Sequence, residues 1–191
     1  MKKKLIFTAT LFLMAACGDS APKEKTTKPA VKTETMKKKE EAPKATPKVE
    51  AKVAEATVTV NEAGEATLTL EANDAMQFNS KKFTVVAGQK VKLTLKHTGT
   101  LTKEIMGHNI VILKPGVDTE AFVAAAQQAR DNDYFPKDKA DQAVAHSKLL
   151  GGGESVTIEF VAPEPGTYKY ICSYSSHWYM MQGDMVVTAK K

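Results

Sequence analysis

Residues 155–189 read SVTIEFVAPEPGTYKYICSYSSHWYMMQGDMVVTA. This stretch holds three strand signals. Ser155–Val161 alternates polar and apolar residues with period two, the pattern of a strand with one face buried. Pro163, Glu164, Pro165 and Gly166 break that run, residues 167–172 resume it, and residues 184–189 supply the third signal. Between the last two strands lies Cys172-x4-His177-x3-Met181, with Gly183 just ahead of the final strand. A thiol, an imidazole and a thioether thus hang on one loop between two strands.

Working outward, residues 57–60 and 66–70 alternate in the same way. Lys82–Val86 and residues 90–95 read as two more strands on either side of a turn at Ala87-Gly88. Residues 109–113 are a continuous apolar run ended by Lys114, Pro115 and Gly116. Only residues 118–130 look helical: Asp118 can cap, Glu120 falls in the first turn, and alanines dominate. Many short strands with turn signals between them predict an all-β fold, a β-sandwich with one short helical insertion. That domain is expected over residues 57–191.

The N-terminal part reads differently. Lys2, Lys3 and Lys4 precede an apolar run of about ten residues, and Ala15-Ala16 precede Cys17, which describes a signal peptide over residues 1–16. The run is about half of what a membrane-spanning helix needs. Leu13-Met14-Ala15-Ala16-Cys17 resembles a bacterial lipobox, which implies cleavage before Cys17 and lipidation of its thiol. Gly18 leaves outer-membrane delivery open, by analogy with enterobacterial sorting. Residues 17–56 are rich in Ala, Pro, Lys, Glu and Thr, with Pro22, Pro29, Pro43 and Pro47 spaced along them. Such a stretch cannot bury enough surface to offset its chain entropy, so a disordered tether is expected. The net charge of +5 divides as +3 over residues 1–16, +3 over 17–56 and −1 over 57–191. The near-neutral domain argues against nucleic acid as a partner. With only Cys17 and Cys172 in 191 residues, a disulfide-stapled miniprotein and a Cys-rich zinc or iron–sulfur site are excluded.

His108 completes the chemistry, within Met106-Gly107-His108-Asn109 just before an apolar strand. Thiolate and thioether are soft ligands, and imidazole suits copper in both oxidation states. Two His and one Cys with a weak axial Met are the makings of an electron-transfer copper site. Zinc is the chemical competitor, although structural zinc gains little from Met. A Cys172–His177 nucleophile–base pair is the mechanistic competitor, but it leaves Met181 and His108 without a role.

Residues 66–191 resemble the azurins, bacterial blue copper proteins of the Greek-key cupredoxin fold. The resemblance rests on residues 73–78 (NDAMQF), 106–109 (MGHN), 145–151 (AHSKLLG) and the loop 172–181. It implies one type 1 copper ion, with Cys172, His108 and His177 as equatorial ligands and Met181 as the axial thioether. The backbone carbonyl of Gly107 would be a weak second axial contact, and Asn109 would support the Cys-bearing loop by hydrogen bonds. The edge of His177, ringed by apolar residues, would pass electrons. The acylated Cys17 and the Ala/Pro/Lys/Glu-rich tether resemble those of the lipid-modified azurins of some outer membranes.

That likeness implies a periplasmic electron carrier, not an enzyme, anchored to a membrane through acylated Cys17, the outer membrane favoured. Its partners would be redox proteins such as cytochromes or a terminal reductase. A copper-binding or copper-delivery protein without a redox partner is the alternative. The chain also departs from the azurin pattern. Gln89 stands where a disulfide Cys is usual, Ile110 where a buried Trp is, and Ser175-Ser176 where Pro-Gly precedes the loop His, implying a more polar and less rigid loop. Trp178 and Tyr179 place aromatics beside the expected electron port. His97 is expected as a core-edge histidine at a strand end, and His146 as a surface residue.

Overall fold

The computed structural model describes residues 55–191; the expected leader, the lipidation site at Cys17 and the linker through residue 54 lie outside the described residues. Ten strands follow in order: β1 (Thr59–Val60), β2 (Ala66–Asn73), β3 (Gln77–Phe78), β4 (Lys82–Val86), β5 (Lys90–His97), β6 (Val111–Leu113), β7 (Ala143–His146), β8 (Ser155–Val161), β9 (Gly166–Ile171) and β10 (Gln182–Thr188). Two helices, α1 (Lys103–Met106) and α2 (Thr119–Ala126), lie on either side of β6. The strands form two five-stranded sheets. One runs β1-β2-β5-β8 with β3 beside β2, and the other β4-β10-β9-β6-β7. The β2–β5 and β4–β10 pairs are parallel, and the remaining pairs antiparallel. The all-β sandwich expected from the alternation is the fold observed.

Alternation fills the space between the sheets. Ala66, Leu68, Leu70 and Ala72 of β2, and Val91, Leu93 and Leu95 of β5, point inward from one sheet. Phe83 and Val85, Tyr168 and Tyr170, and Met185 and Val187 meet them from the other. Burial of each Val, Leu, Phe or Met among them contributes roughly 1.5–3 kcal/mol.

The turn at Ala87-Gly88 closes no hairpin. Gly88 takes φ 75°, and the chain steps from the sheet of β4 to that of β5. Gln89 does hydrogen-bonding work there: its Oε1 accepts from Val86 N (3.1 Å) and its Nε2 donates to the Gly64 carbonyl (2.8 Å), so the side chain bridges two turns.

The continuous apolar run before Lys114 is explained by covering on both faces. Ile110 and Ile112 face the main core. Val111 and Leu113 face outward into a second core with Phe122 and Val123 of α2, Phe135 and Ile171. Trp178 packs against that second core and is half-buried, while Tyr179 remains 64% exposed. Helix α2 is shorter than the expected 118–130. Asp118 caps it, accepting from Glu120 N (3.0 Å) and Ala121 N (3.1 Å), but the helix ends at Ala126 and a separate 3-10 turn forms at Arg130–Asn132. Pairing also extends ahead of Thr57, the expected start of the domain. Glu55 forms a bridge with Lys82, Ala56 N donates to the Lys82 carbonyl (2.8 Å), and Thr84 Oγ1 donates to Glu55 Oε1 (2.8 Å).

The second core is what fastens α2 to the sheet. Phe122→Ala removes a ring of 0% exposure and should cost about 3–5 kcal/mol in chemical denaturation. Tyr179→Ala, at an exposed position, should stay within about 0.5 kcal/mol of the parent.

Candidate metal centre

The chemical residues converge at one end of the sandwich. Asn73 ends β2 and His97 ends β5, while Val111 opens β6 opposite Ile171, which ends β9. His108 therefore lies just before β6 and Cys172 just after β9, on neighbouring strands. His108 is pinned through its backbone: its N donates to the Leu150 carbonyl (3.0 Å), and Leu150 N donates back (2.8 Å). The loop 172–181 closes on itself, with Met181 N donating to the His177 carbonyl (2.7 Å) and Cys172 N to the Met181 carbonyl (2.9 Å).

Three donor atoms meet there. Cys172 Sγ lies 3.9 Å from His108 Nδ1 and 3.9 Å from His177 Nδ1, and the two Nδ1 atoms are 3.3 Å apart. The Gly107 carbonyl oxygen is 4.0 Å from the sulfur. Cys172, His108 and Met181 are fully buried, and His177 is 5% exposed. The four residues expected as ligands thus fall at one end of the fold, and the donor atoms of His108, Cys172 and His177 share one cluster.

The protonation of this cluster follows from its partners. His108 Nε2 lies 2.9 Å from the Asn73 carbonyl, which can only accept, so Nε2 carries the proton and Nδ1 presents a lone pair to the pocket. Burial drives the His108 pKa down from 6.5 to about 4, with the Asn73 hydrogen bond working the other way. Burial also lowers His177, against the Gly107 carbonyl, which raises it. Burial pushes the Cys172 thiol up to about 11, while the backbone amides of Asn109 and Tyr174 pull it down. A fully buried thiol with so high a pKa is a poor nucleophile, which disfavours the Cys172–His177 catalytic pair. Two neutral imidazole nitrogens and a sulfur, crowded together away from water, form a mixed hard–soft set that fits copper.

Neighbouring groups hold these donors. Asn109 Oδ1 accepts from Ser173 N (2.8 Å), while its Nδ2 donates to Ser173 Oγ (2.9 Å) and to the Asp133 carbonyl (2.8 Å). Support of the Cys loop by Asn109 was legible in the sequence; the part of Gln127 was not. Its Nε2 reaches from α2 to the carbonyls of Ser173 (3.2 Å) and Ser175 (3.0 Å). The expected slackness of the Ser175-Ser176 loop is therefore offset by a clamp from the helix. Tyr174 was also missed; its ring meets His177 edge-on (4.9 Å between centroids) and its hydroxyl donates to the Glu104 carbonyl (2.6 Å).

His97 is buried at the end of β5, as expected. Its Nδ1 accepts from Gly99 N (3.0 Å), its Nε2 donates to the Met106 carbonyl (2.8 Å), and its ring stacks on His108 at 4.5 Å. His146 is exposed and stacks on Phe135 (3.6 Å).

The depressed His108 pKa makes the metal-free protein acid-sensitive. The unfolded chain takes up this proton near pH 6.5 and the folded chain only near 4, so folding free energy is lost as pH falls through that window. The loss should total about 3 kcal/mol. Urea titrations between pH 6.5 and 4 should show a shallower slope for His108→Gln than for the parent.

Comparisons with known proteins agree with the fold. The model of copper binding proteins of the plastocyanin/azurin family matches residues 64–188. The chain is similar to outer membrane protein H.8 of Neisseria gonorrhoeae, 41% identical over 128 residues, covering 65% of this chain and 69% of that one. It is similar to azurin of Achromobacter denitrificans, 39% identical over 131 residues, covering 64% and 85%. Among solved structures it is similar to auracyanin A of Chloroflexus aurantiacus, a "blue" copper protein, with TM-score 0.59, 33% identity, and coverage of 65% of this chain and 100% of that one. With the family model matching residues 64–188 and a buried His–Cys–His cluster at one end of the fold, this chain belongs to the plastocyanin/azurin family of copper binding proteins, and its cofactor is one copper ion.

Proposed function

We propose that the chain is a membrane-tethered blue copper electron carrier in which His108, Cys172 and His177 would hold the ion, Met181 would serve as the axial thioether, and the Gly107 carbonyl would be a weak further contact. The bound ion supplies a one-electron Cu(II)/Cu(I) couple and a strong visible absorption from the cysteine thiolate. The observation that carries this reading is the closed donor set: two imidazole nitrogens and a sulfur within 3.3–3.9 Å of one another, none more than 5% exposed.

Each donor is anchored from behind. Asn73 and Leu150 fix His108, Asn109 fixes the residue after Cys172, and Gln127 fixes the loop leading to His177. Groups held this way move little when charge changes, which favours fast outer-sphere electron transfer and transforms no substrate. A delivery protein needs an open, exchangeable site, and the burial here weighs against that. The small exposed edge of His177 is the natural point of electron entry and exit, and redox proteins such as cytochromes or a terminal reductase are the partners. Acylated Cys17 and the linker would hold the domain at the outer membrane; the name of the similar Neisseria protein supports that location.

Three outcomes test this reading. Copper-loaded parent should absorb intensely in the visible, and Cys172→Ser should lose the band; a variant that stays blue removes Cys172 from the site. In voltammetry, Met181→Leu withdraws a donor that favours Cu(II) and should raise the potential, and Met181→Gln, with a harder oxygen, should lower it. Met180→Leu, 56% exposed in the parent, should barely move it. A chain beginning at Glu55 should keep the parent spectrum and bind one copper; loss of copper would show that the linker belongs to the site.

A further inference from the structure

Lys81 lies 99 residues before Met180 in the chain, yet its Nζ donates to the Met180 carbonyl at 2.6 Å. That carbonyl and the Met181 N–H belong to one peptide unit. The N–H end donates to the His177 carbonyl at 2.7 Å. The plane from which the Met181 side chain springs is therefore gripped at both ends, by the loop on one side and by Lys81 on the other.

Lys81 is itself firmly placed. Its carbonyl accepts from Asp184 N (2.9 Å), just beyond Met181 and Gly183. A Cβ at Gly183 would run into the Tyr170 hydroxyl and the Lys81 carbonyl, so the backbone segments pass in direct contact there. Tyr170 is fully buried, and its hydroxyl donates to the Ser80 carbonyl (2.8 Å). The base of the lysine is thus bound to the rigid start of β10, and its tip holds the outer face of the peptide before Met181. The bond is charge-assisted, and because it is exposed to solvent its restraint works together with the His177 carbonyl on the other end of the peptide.

We propose that Lys81 is a positioning residue for the copper site, fixing the Met180–Met181 peptide and through it the axial approach of the Met181 sulfur. The proposal rests on the reading of Met181 as the axial ligand.

Positioning and simple charge predict opposite signs. If Lys81 acts through Met181, Lys81→Met slackens the axial donor and the reduction potential should rise, in the sense of Met181→Leu. If Lys81 acts only as a nearby cation, removing it favours the more positive Cu(II) state and the potential should fall. Voltammetry on the full-length protein would compare the parent, Lys81→Met, Lys81→Arg, Met181→Leu and the Lys81→Met/Met181→Leu double variant. We expect an upward shift in Lys81→Met, a return toward the parent value in Lys81→Arg, and no added shift from Lys81→Met once Met181 is gone. In the metal-free protein, the Met181 amide should exchange with solvent deuterium faster in Lys81→Met than in the parent. A downward shift that persists in the double variant, or an unmoved potential in Lys81→Met with Met181→Leu responding, overturns the positioning role alone. An unmoved potential in Met181→Leu overturns the axial reading and the proposal with it.

Discussion

One side-chain amide sets the distance between the two halves of the site. Asn109 follows His108 and Ser173 follows Cys172, and Asn109 bonds Ser173 through both its oxygen and its nitrogen. Both residues are fully buried, so each lost bond would leave a polar group without water, at about 1–3 kcal/mol. The same amide reaches the Asp133 carbonyl, and Ser173 Oγ donates to the Tyr134 carbonyl at 2.7 Å. Asp133 and Tyr134 both take the left-handed conformation, at φ 53° and 58°. Such residues cost on the order of 1–3 kcal/mol each and persist only where their surroundings hold them. Here the ligand-flanking residues hold them, so the corner after α2 and the spacing of the donors are fixed together.

The sandwich was legible because one face of most strands is buried and the period of two survives in β2, β5 and β8. The donor set was legible because its residue types are scarce: two Cys and four His in the chain leave few combinations. What escaped was short or depended on distant partners. β7 has only Ala-Val-Ala-His, and α1 a single turn. Neither Gln127 nor Lys81 carries a local sign that its side chain ends on a backbone carbonyl 46 to 99 residues away. Alanine favours helix at every position and so predicts one through residue 130, whereas the helix ends at Ala126, where Gln127 turns toward the loop ahead of the left-handed corner. Trp178, beside His177 in the chain, also packs on the second core under α2, a contact that no local pattern signals.

The departures from the azurin pattern have physical counterparts in the fold. Gln89 stands where the resemblance implies a disulfide Cys, and its amide joins two turns with two hydrogen bonds. Two such bonds are worth far less than a covalent link, roughly 0.5–1.5 kcal/mol each, so more of the stability must come from the two cores. Ile110 occupies its place in the main core at 0% exposure, with its N–H donating to Ser147 Oγ (3.1 Å). A rigid Pro-Gly would set the approach to His177 through its own dihedrals. In this chain Ser175 takes φ 49° instead, and Gln127 supplies from outside the restraint that the loop does not supply itself.

A donor set that must serve two oxidation states needs its geometry imposed by the protein rather than chosen by the ion. Imposing it takes restraints along more than one direction. His108 is held along the strand by Leu150 and across the sheets by Asn73. Cys172 is held by the bond of its N–H to Met181 and by the Asn109–Ser173 pair. Met181 is held by the His177 carbonyl and by the passage of the chain through Gly183, where only hydrogen fits between Tyr170 and the Lys81 backbone. Of these, the Asn73 bond ties His108 to the opposite sheet, so a shift of that donor requires the sheets to move against each other. The main core of Leu68, Leu70, Leu93, Phe83 and Tyr170 resists that motion, because close-packed interiors deform little. The rigidity needed for electron transfer is in this sense a property of the sandwich as a whole, delivered to the metal through a few hydrogen bonds.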